Sequence, residues 1–395
     1  LLLTADVVIV GGGVVGLSAA YHLKRDGFTG RVVVVERDPT YRRASSFLAM
    51  GGIRQQFGSA INVRMAQFSI AFYERFDARL AELGVQPSRF SQRGYLFLVD
   101  RVGEERFRRR FEHQKALGAH VECLERKALE ARLGGVRLDD IAFGVLGTAD
   151  GYANPRAVLA GFRAAAAAEG AEIVEDEVVG IRQAEGRVTA VDFASAGTVA
   201  TAAVINAAGA YAGRVGALAG LELPVQPVRQ HLFRAELPAR WPYRFPMVID
   251  PGGVHWRHDD LVDPDAPFDR IVVAKTRIDE PPGENFTCDE SRWFDEFLPD
   301  LVKRVPSFAD LRLVEGWAGL YEMTPDHNPI VGEHPRLNGF FLANGFSGHG
   351  LMLSPATGRI LSELVRTGQS TTFDIRPFAV DRFERGELFW DEAMV

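Results

Sequence analysis

Short unbroken apolar runs alternate along this chain with longer stretches whose apolar positions recur every three or four residues, a pattern that predicts an α/β protein. The run Val7–Val10 is β-branched, as expected of a strand buried on both faces of a parallel sheet. Three glycines follow, then a helix over 14–25 that Gly27 and Gly30 stop, then a second buried strand over 32–35 ending on Glu36. Ile61, Met65, Phe68, Phe72, Phe76, Leu80 and Leu83 form one apolar stripe of a long helix. Residues 95–99 read as a strand, and the charged stretch after them as helix to about Leu133.

Beyond a turn at Asp150, Pro155 suits the first turn of an alanine-rich helix. Strands are expected at 171–174, 178–182, 188–193 and 204–205. The runs 228–235, 254–256 and 271–275 alternate like antiparallel strands, with an acidic surface loop over 259–269 between the last two. A final strand over 340–343 leads into a long helix over 350–366.

Composition narrows the function classes. The net charge of −7 disfavours a nucleic-acid partner. The basic run Arg106, Arg108, Arg109 and Arg110 is interleaved with Glu104, Glu105 and Glu112 and reads as a solvated helix face. Cys123 and Cys288 fit neither a disulfide framework nor a zinc site, which suits a reducing compartment, the cytoplasm by default. The chain starts directly in an apolar strand without signal-peptide features, and no apolar run approaches the ~20 residues of a membrane span.

The first chemical signal is Gly11-x-Gly13-x-x-Gly16, set between a strand and a helix, with Glu36 closing the next strand. Gly11 permits a tight turn, Gly13 admits backbone amides to a pyrophosphate together with Val14 and Val15, and Gly16 lets helix and strand pack closely. Glu36, followed by Arg37, can hold the ribose hydroxyls. NAD and FAD share this fingerprint. Its place at the start of the chain and the lack of a second copy favour one FAD reduced directly by its substrate.

Two further segments fit a flat ring. Gly345-Phe346-Ser347-Gly348-His349-Gly350-Leu351-Met352 joins the last strand to the last helix, whose positive end would stabilise a reduced flavin. Ser45, Ser46, Gly51 and Gly52 suit phosphate or ring contacts, and Arg54 after them can clamp a carboxylate. Lys275 and His255, on expected strands of the substrate layer, are candidates for oxygen activation and for lining the cavity.

Together these segments resemble the D-amino-acid-oxidase-like FAD superfamily, which includes glycine oxidase, sarcosine oxidase, dimethylglycine dehydrogenase and the proline dehydrogenase β-subunit. Five stretches carry the resemblance: the N-terminal fingerprint; Ser45-Ser46 with Gly51-Gly52-Ile53-Arg54-Gln55-Gln56-Phe57; Asp150-Gly151 with Pro155; Val204-Ile205-Asn206-Ala207-Ala208-Gly209; and Trp317 with Tyr321, Thr324-Pro325-Asp326 and the 345–350 loop. The second stretch also resembles mitochondrial FAD-dependent oxidoreductase-domain proteins linked to respiratory-complex assembly. The resemblance implies that Val178 touches the adenine, that Ala207, Ala208 and Gly209 pass near the pyrophosphate, and that Tyr321 lines the substrate side. The chain departs from the relatives at three places. Gly319 stands where sarcosine oxidase has its FAD-linking cysteine, Phe47, Leu48 and Ala49 where dimethylglycine-type enzymes have a linking histidine, and Met352 where sarcosine oxidase has a carboxylate-binding lysine.

The expectation is therefore α/β: a discontinuous Rossmann-like FAD-binding domain from 1–88, 150–224 and 312–395, and an antiparallel-sheet substrate-binding domain from 89–149 and 225–311. Function is expected to be hydride transfer from the C–N bond of a small amine or amino acid to non-covalent FAD, reoxidised by O2 or an electron-transfer acceptor. A hydroxy-acid dehydrogenase and a flavin-binding assembly factor are the alternatives.

Overall fold

The computed structural model describes residues 4–237, 240–261, 269–276 and 279–391. Val7–Val10 is buried at every position and lies inside a six-stranded sheet, parallel to Val204–Asn206 on one side and to Val32–Glu36 on the other. Glu172–Glu175 extends the sheet parallel at one edge. Phe340–Asn344 and the antiparallel Ile330–Glu333 extend it at the other. Strand alternation sorts the core. Val7 and Ile9 join a cluster with the helices Val14–Arg25, Ala60–Glu82, Pro155–Ala168 and Gly350–Thr367, while Val8 and Val10 face the three-stranded antiparallel sheet 178–200.

Small residues let the first and last helices touch. A Cβ on Gly358 would fall 2.4 Å from the Ser18 hydroxyl, and that hydroxyl donates to the Ser354 carbonyl at 2.8 Å. Pro155 opens its helix as expected, with Asn154 capping the amides of Arg156 and Ala157.

The second layer is an eight-stranded sheet in the order Arg312–Met323, Gln226–Glu236, Arg270–Lys275, Val254–His258, Met247–Ile249, Tyr95–Asp100, Ile141–Gly147 and Val121–Glu125. Every pair is antiparallel except Met247–Ile249 with Tyr95–Asp100. Several differences from the sequence expectation appear here, among them the unforeseen strands Ile141–Gly147 and Met247–Ile249. The helical stretch expected to reach Leu133 is broken: Glu104–Ala116 ends, Gly118 takes a positive φ, and Val121–Glu125 forms an edge strand before the short helix Arg126–Arg132. The strand Arg312–Met323 was not foreseen, and it pairs along its length with Gln226–Glu236. The expected acidic loop 259–269 falls mostly at 262–268, outside the described residues. No helix among the described residues is long and apolar enough to cross a membrane.

Candidate active site

A cavity of about 1500 Å³ runs between the two large sheets, from Glu36 and Val178 at one end to Phe97 and Arg110 at the other. At its first end glycine turns bring backbone to the wall. Gly11 has φ +105°, and a Cβ there would meet the Ala207 carbonyl at 2.4 Å, so the turn closes only with glycine. Gly13, Val14 and Val15 line the cavity at the N-terminus of Val14–Arg25, where the N-cap Gly13 offers no side-chain cap. Amides left unpaired at such an end attract an anion. The Ser46 hydroxyl accepts from the Val14 amide at 3.3 Å, and Ser45 is tied to the Leu320 carbonyl at 2.6 Å.

Glu36 is set by two amides at 2.8 Å each, Gly12 on one oxygen and Asp38 on the other, and burial raises its pKa. Arg37 stacks 3.8 Å over the Tyr211 ring, and both line the cavity beside Val178 and Ala207, Ala208 and Gly209.

A second uncapped helix end faces the middle of the cavity. Gly350–Thr367 begins after His349 with no side-chain cap, and Ser347, Gly348, His349, Gly350, Leu351 and Met352 line the space. Gly348, at φ +95°, lies flat against Tyr321: a Cβ would sit 2.5 Å from that ring. Gly51 and Gly52 line the same cavity. Two helix N-termini converging on one elongated cavity, with an amide-held glutamate at its far end, fit a dinucleotide carrying a polar ring.

Arg54 anchors the other end. It is buried, its Nη1 donates to the Gln56 carbonyl at 2.6 Å, and its Nη2 meets His349 Nε2 at 3.1 Å. The guanidinium carbon lies 4.4 Å from the Phe57 ring centre and within 6 Å of those of Tyr95 and Phe97. Burial first, and the Arg54 charge second, hold His349 down to about 3, so the ring is neutral: Nε2 accepts from Arg54 and Nδ1–H donates to the Phe346 carbonyl at 3.3 Å. His255 is likewise lowered to about 4 by burial, and its Nδ1 contacts the Gly253 carbonyl at 3.1 Å, leaving Nε2 as an acceptor. Tyr321 pairs with Thr276, and burial raises its phenol pKa.

Most of the sequence-derived residues therefore meet in one place. Three do not line the cavity: Gly16 packs on the Gly11 carbonyl, the Phe346 side chain is buried in the helical core, and Gly345 supports the loop by donating its amide to Glu322 at 3.0 Å. Lys275 borders the cavity, but its ammonium is bound to Asp300 at 2.8 Å. The basic run is not uniformly solvated: Arg108 and Arg109 pair with Glu104 and Glu105 outside and Arg106 is exposed at the cavity, whereas Arg110 is buried in the cavity wall. The four-residue spacing of Arg106 and Arg110 puts both on one helix face, a signal available in the sequence.

Tyr95 and Phe97, two apart on one strand, also line the cavity unforeseen, as does Glu322. Burial raises Glu322 to about 7 despite its bond from the Gly345 amide. Nothing local in the sequence marks Glu322.

The comparisons agree with this geometry. The DAO family model, described as FAD dependent oxidoreductase, matches residues 6–364. The chain is 33% identical to FAD-dependent oxidoreductase domain-containing protein 1 of Xenopus laevis, over 99% of this chain and 85% of that protein. It is 29% identical to a glycine oxidase of Geobacillus kaustophilus, over 95% and 97% of the two chains. Among solved structures, L-proline dehydrogenase from P. horikoshii matches with a TM-score of 0.88 at 28% identity, over 98% of this chain and 100% of the other.

Proposed function

The chain belongs to the FAD-dependent oxidoreductase (DAO) family, and we propose that it oxidises the carbon–nitrogen bond of a small amine or amino acid. One observation carries the reading: Arg54 lines the same cavity as the N-termini of two helices, beside neutral histidines and aromatic rings. The relatives' names support it, since they include a glycine oxidase and an L-proline dehydrogenase.

In this reading Gly11, Gly13, Val14, Val15, Ser46, Ala207, Ala208 and Gly209 hold the FAD pyrophosphate, Glu36 the ribose, Arg37 and Val178 the adenine. Gly51, Gly52 and the 347–352 segment cover the ring. The flavin supplies a two-electron acceptor for the hydride of the substrate C–H. The chain does the rest. Arg54 fixes the carboxylate through its planar fork, which orients the C–H to be cleaved. His255, held neutral by burial, lines the pocket and offers Nε2 as a hydrogen-bond acceptor, and the substrate binds as the neutral amine after leaving its proton to solvent, since only that form can give up a hydride. Tyr321, Tyr95 and Phe97 exclude water. Gly319 and Leu48, both lining the cavity, provide no linking side chain, so FAD is held non-covalently. We place the boundary between the cofactor and substrate units after Met323, because Arg312–Met323 belongs to the eight-stranded sheet. The electrons pass on to O2 or an electron-transfer acceptor, and a reducing compartment such as the cytoplasm suits the two free cysteines.

An anaerobic screen of amino acids, N-alkyl amino acids, amines and hydroxy acids, followed by flavin bleaching, tests the reading. Bleaching by an amine or amino acid is expected. Bleaching by hydroxy acids alone moves the substrate class, and none at all with full FAD content returns the protein to an assembly role.

A further inference from the structure

We propose that Asp150 is a positioning residue for Arg54: its buried carboxylate holds the 54–56 segment, and the affinity of the cavity for a substrate carboxylate depends on that hold. This rests on the reading of Arg54 as the carboxylate anchor and names what aims the anchor. Arg54 lies just past the end of a short ladder. Gly52–Ile53 pairs antiparallel with Gly151–Tyr152, Gly52 opposite Tyr152 and Ile53 opposite Gly151, and the pairing stops there. The Asp150 side chain takes over where the ladder ends. Its Oδ1 accepts from the Gln55 amide at 3.0 Å, and its Oδ2 from the Gln56 side-chain amide at 3.1 Å. That same side-chain nitrogen, which carries two N–H groups, also donates to the Tyr95 carbonyl at 2.7 Å. The Gln56 main-chain carbonyl in turn accepts from Arg54 Nη1 at 2.6 Å. One carboxylate thus ties the Arg54 segment to the strand Tyr95–Asp100, which supplies Tyr95 and Phe97 to the cavity wall.

The contact calls for an acid. Asp150, Gln55 and Gln56 are all fully buried, and a carboxylate taken out of water is costly unless its oxygens are hydrogen-bonded. Here two N–H groups face two oxygens. Burial raises the Asp150 pKa to about 6 against the bonds from Gln55 and Gln56, so above neutral pH the group is ionised and both oxygens accept. Asparagine has the same shape but would turn its NH2 toward one of those donors. There is little room to absorb the mismatch: a Cβ on Gly147 would fall 1.9 Å from Asp150 Oδ2, so the end of Ile141–Gly147 is packed against the carboxylate. Releasing the Gln56 carbonyl would leave the guanidinium to pivot on its other contacts, His349 Nε2 among them. A bidentate grip on a carboxylate depends on the angle of the planar fork, so a pivot costs affinity although the charge stays in place.

Propionate, a carboxylate with no amine to oxidise, isolates the effect. It is titrated into the FAD-loaded protein at about pH 8, where Asp150 is ionised, and binding is read by the flavin absorbance change and by calorimetry. Asp150→Asn is expected to weaken propionate binding about fivefold or more with FAD content unchanged. Gln56→Leu removes the donor at similar volume and should have the same effect, which keeps the test open should Asp150→Asn fail to fold. The double variant should bind no more weakly than the weaker single variant, because both changes break one chain of contacts leading to Arg54. Losses that multiply would mean two separate injuries to the pocket and overturn the positioning role. Propionate affinity within about twofold of the wild type in the folded variants overturns it too, and so does loss of flavin with normal affinity in the protein that keeps it. In those cases the carboxylate reading of Arg54 stands. Failure of the wild type to bind propionate rejects that reading and the role of Asp150 with it.

Discussion

At the Glu36 end of the cavity the glycine and alanine turns at 11–13 and 207–209 bring backbone to the wall, whereas at the Phe97 end the lining residues come from strands and a helix far apart in sequence. The first end is set by where glycines allow the backbone to go, and few substitutions are compatible with it. The second is set by which side chains the eight-stranded sheet presents, so it can change its ligand without changing the fold. Substitutions should therefore fail differently at the two ends: loss of cofactor or fold at one, loss of turnover with flavin retained at the other.

The largest effect is expected from Gly11→Ala. It places a Cβ 2.4 Å from the Ala207 carbonyl at φ +105°, combining overpacking and backbone strain on the order of 3–5 kcal/mol. Flavin content and soluble yield should both collapse. Gly13→Ala sharpens the point: its Cβ meets only the Ser46 hydroxyl at 3.4 Å, so the fold should survive while FAD affinity falls. Equal flavin occupancy in all three proteins would contradict a backbone-built cofactor end.

Arg54→Ala should lose about 2–4 kcal/mol in kcat/KM as a partly desolvated carboxylate contact disappears, with FAD content unchanged. Arg54→Lys should also be impaired, because charge is kept but the fork is not. If flavin is lost while turnover per bound flavin stays normal, Arg54 belongs to the cofactor end and the contrast between the ends is wrong. Glu36→Ala tests the reverse case: FAD should dissociate more readily by about 1.5–3 kcal/mol, the worth of hydrogen bonds to a charged group. Unchanged dissociation on dilution would remove Glu36 from the ribose.

What the sequence revealed follows the same division. The fingerprint, the 45–56 segment and the loop before the last helix are contiguous, because a glycine turn and the helix it opens are local structures whose code lies in adjacent residues. Arg54 was found for the same reason. Tyr95, Phe97 and Glu322 were missed because they come together only through pairings such as Met247–Ile249 with Tyr95–Asp100 and Arg312–Met323 with Gln226–Glu236. The misread basic run shows how little separates the two readings: Arg109 and Arg110 are neighbours in sequence and face opposite environments.

Acidity tests the side-chain end from another direction. His349 is held near 3 when folded but titrates at its ordinary 6.5 when unfolded, so below pH 6.5 the unfolded chain binds the extra proton and stability falls as pH drops. His349→Gln should remove that contribution, on the order of 1–2 kcal/mol at pH 5, and flatten the stability curve between pH 6.5 and 5 relative to the wild type. Urea midpoints measured across that range check it. An unchanged slope would mean that the ring is protonated in the folded protein and does not accept from Arg54.

The smallest effect is expected at Lys275, which separates bordering the cavity from acting in it. Its ammonium is 2.8 Å from Asp300, in a pair whose side chains are 25% and 36% exposed. Such partly solvated pairs stabilise by only about 0.2–1 kcal/mol, which Lys275→Met should remove from the unfolding free energy. If the ammonium stays with Asp300, reoxidation of the reduced flavin by O2 should change by less than about threefold, since no charge is taken from the reacting oxygen. A large drop in that rate, with flavin reduction unaffected, would show that the lysine leaves Asp300 during turnover and reaches the flavin. The side-chain end would then contain an oxygen-activating cation that the resting geometry keeps engaged elsewhere.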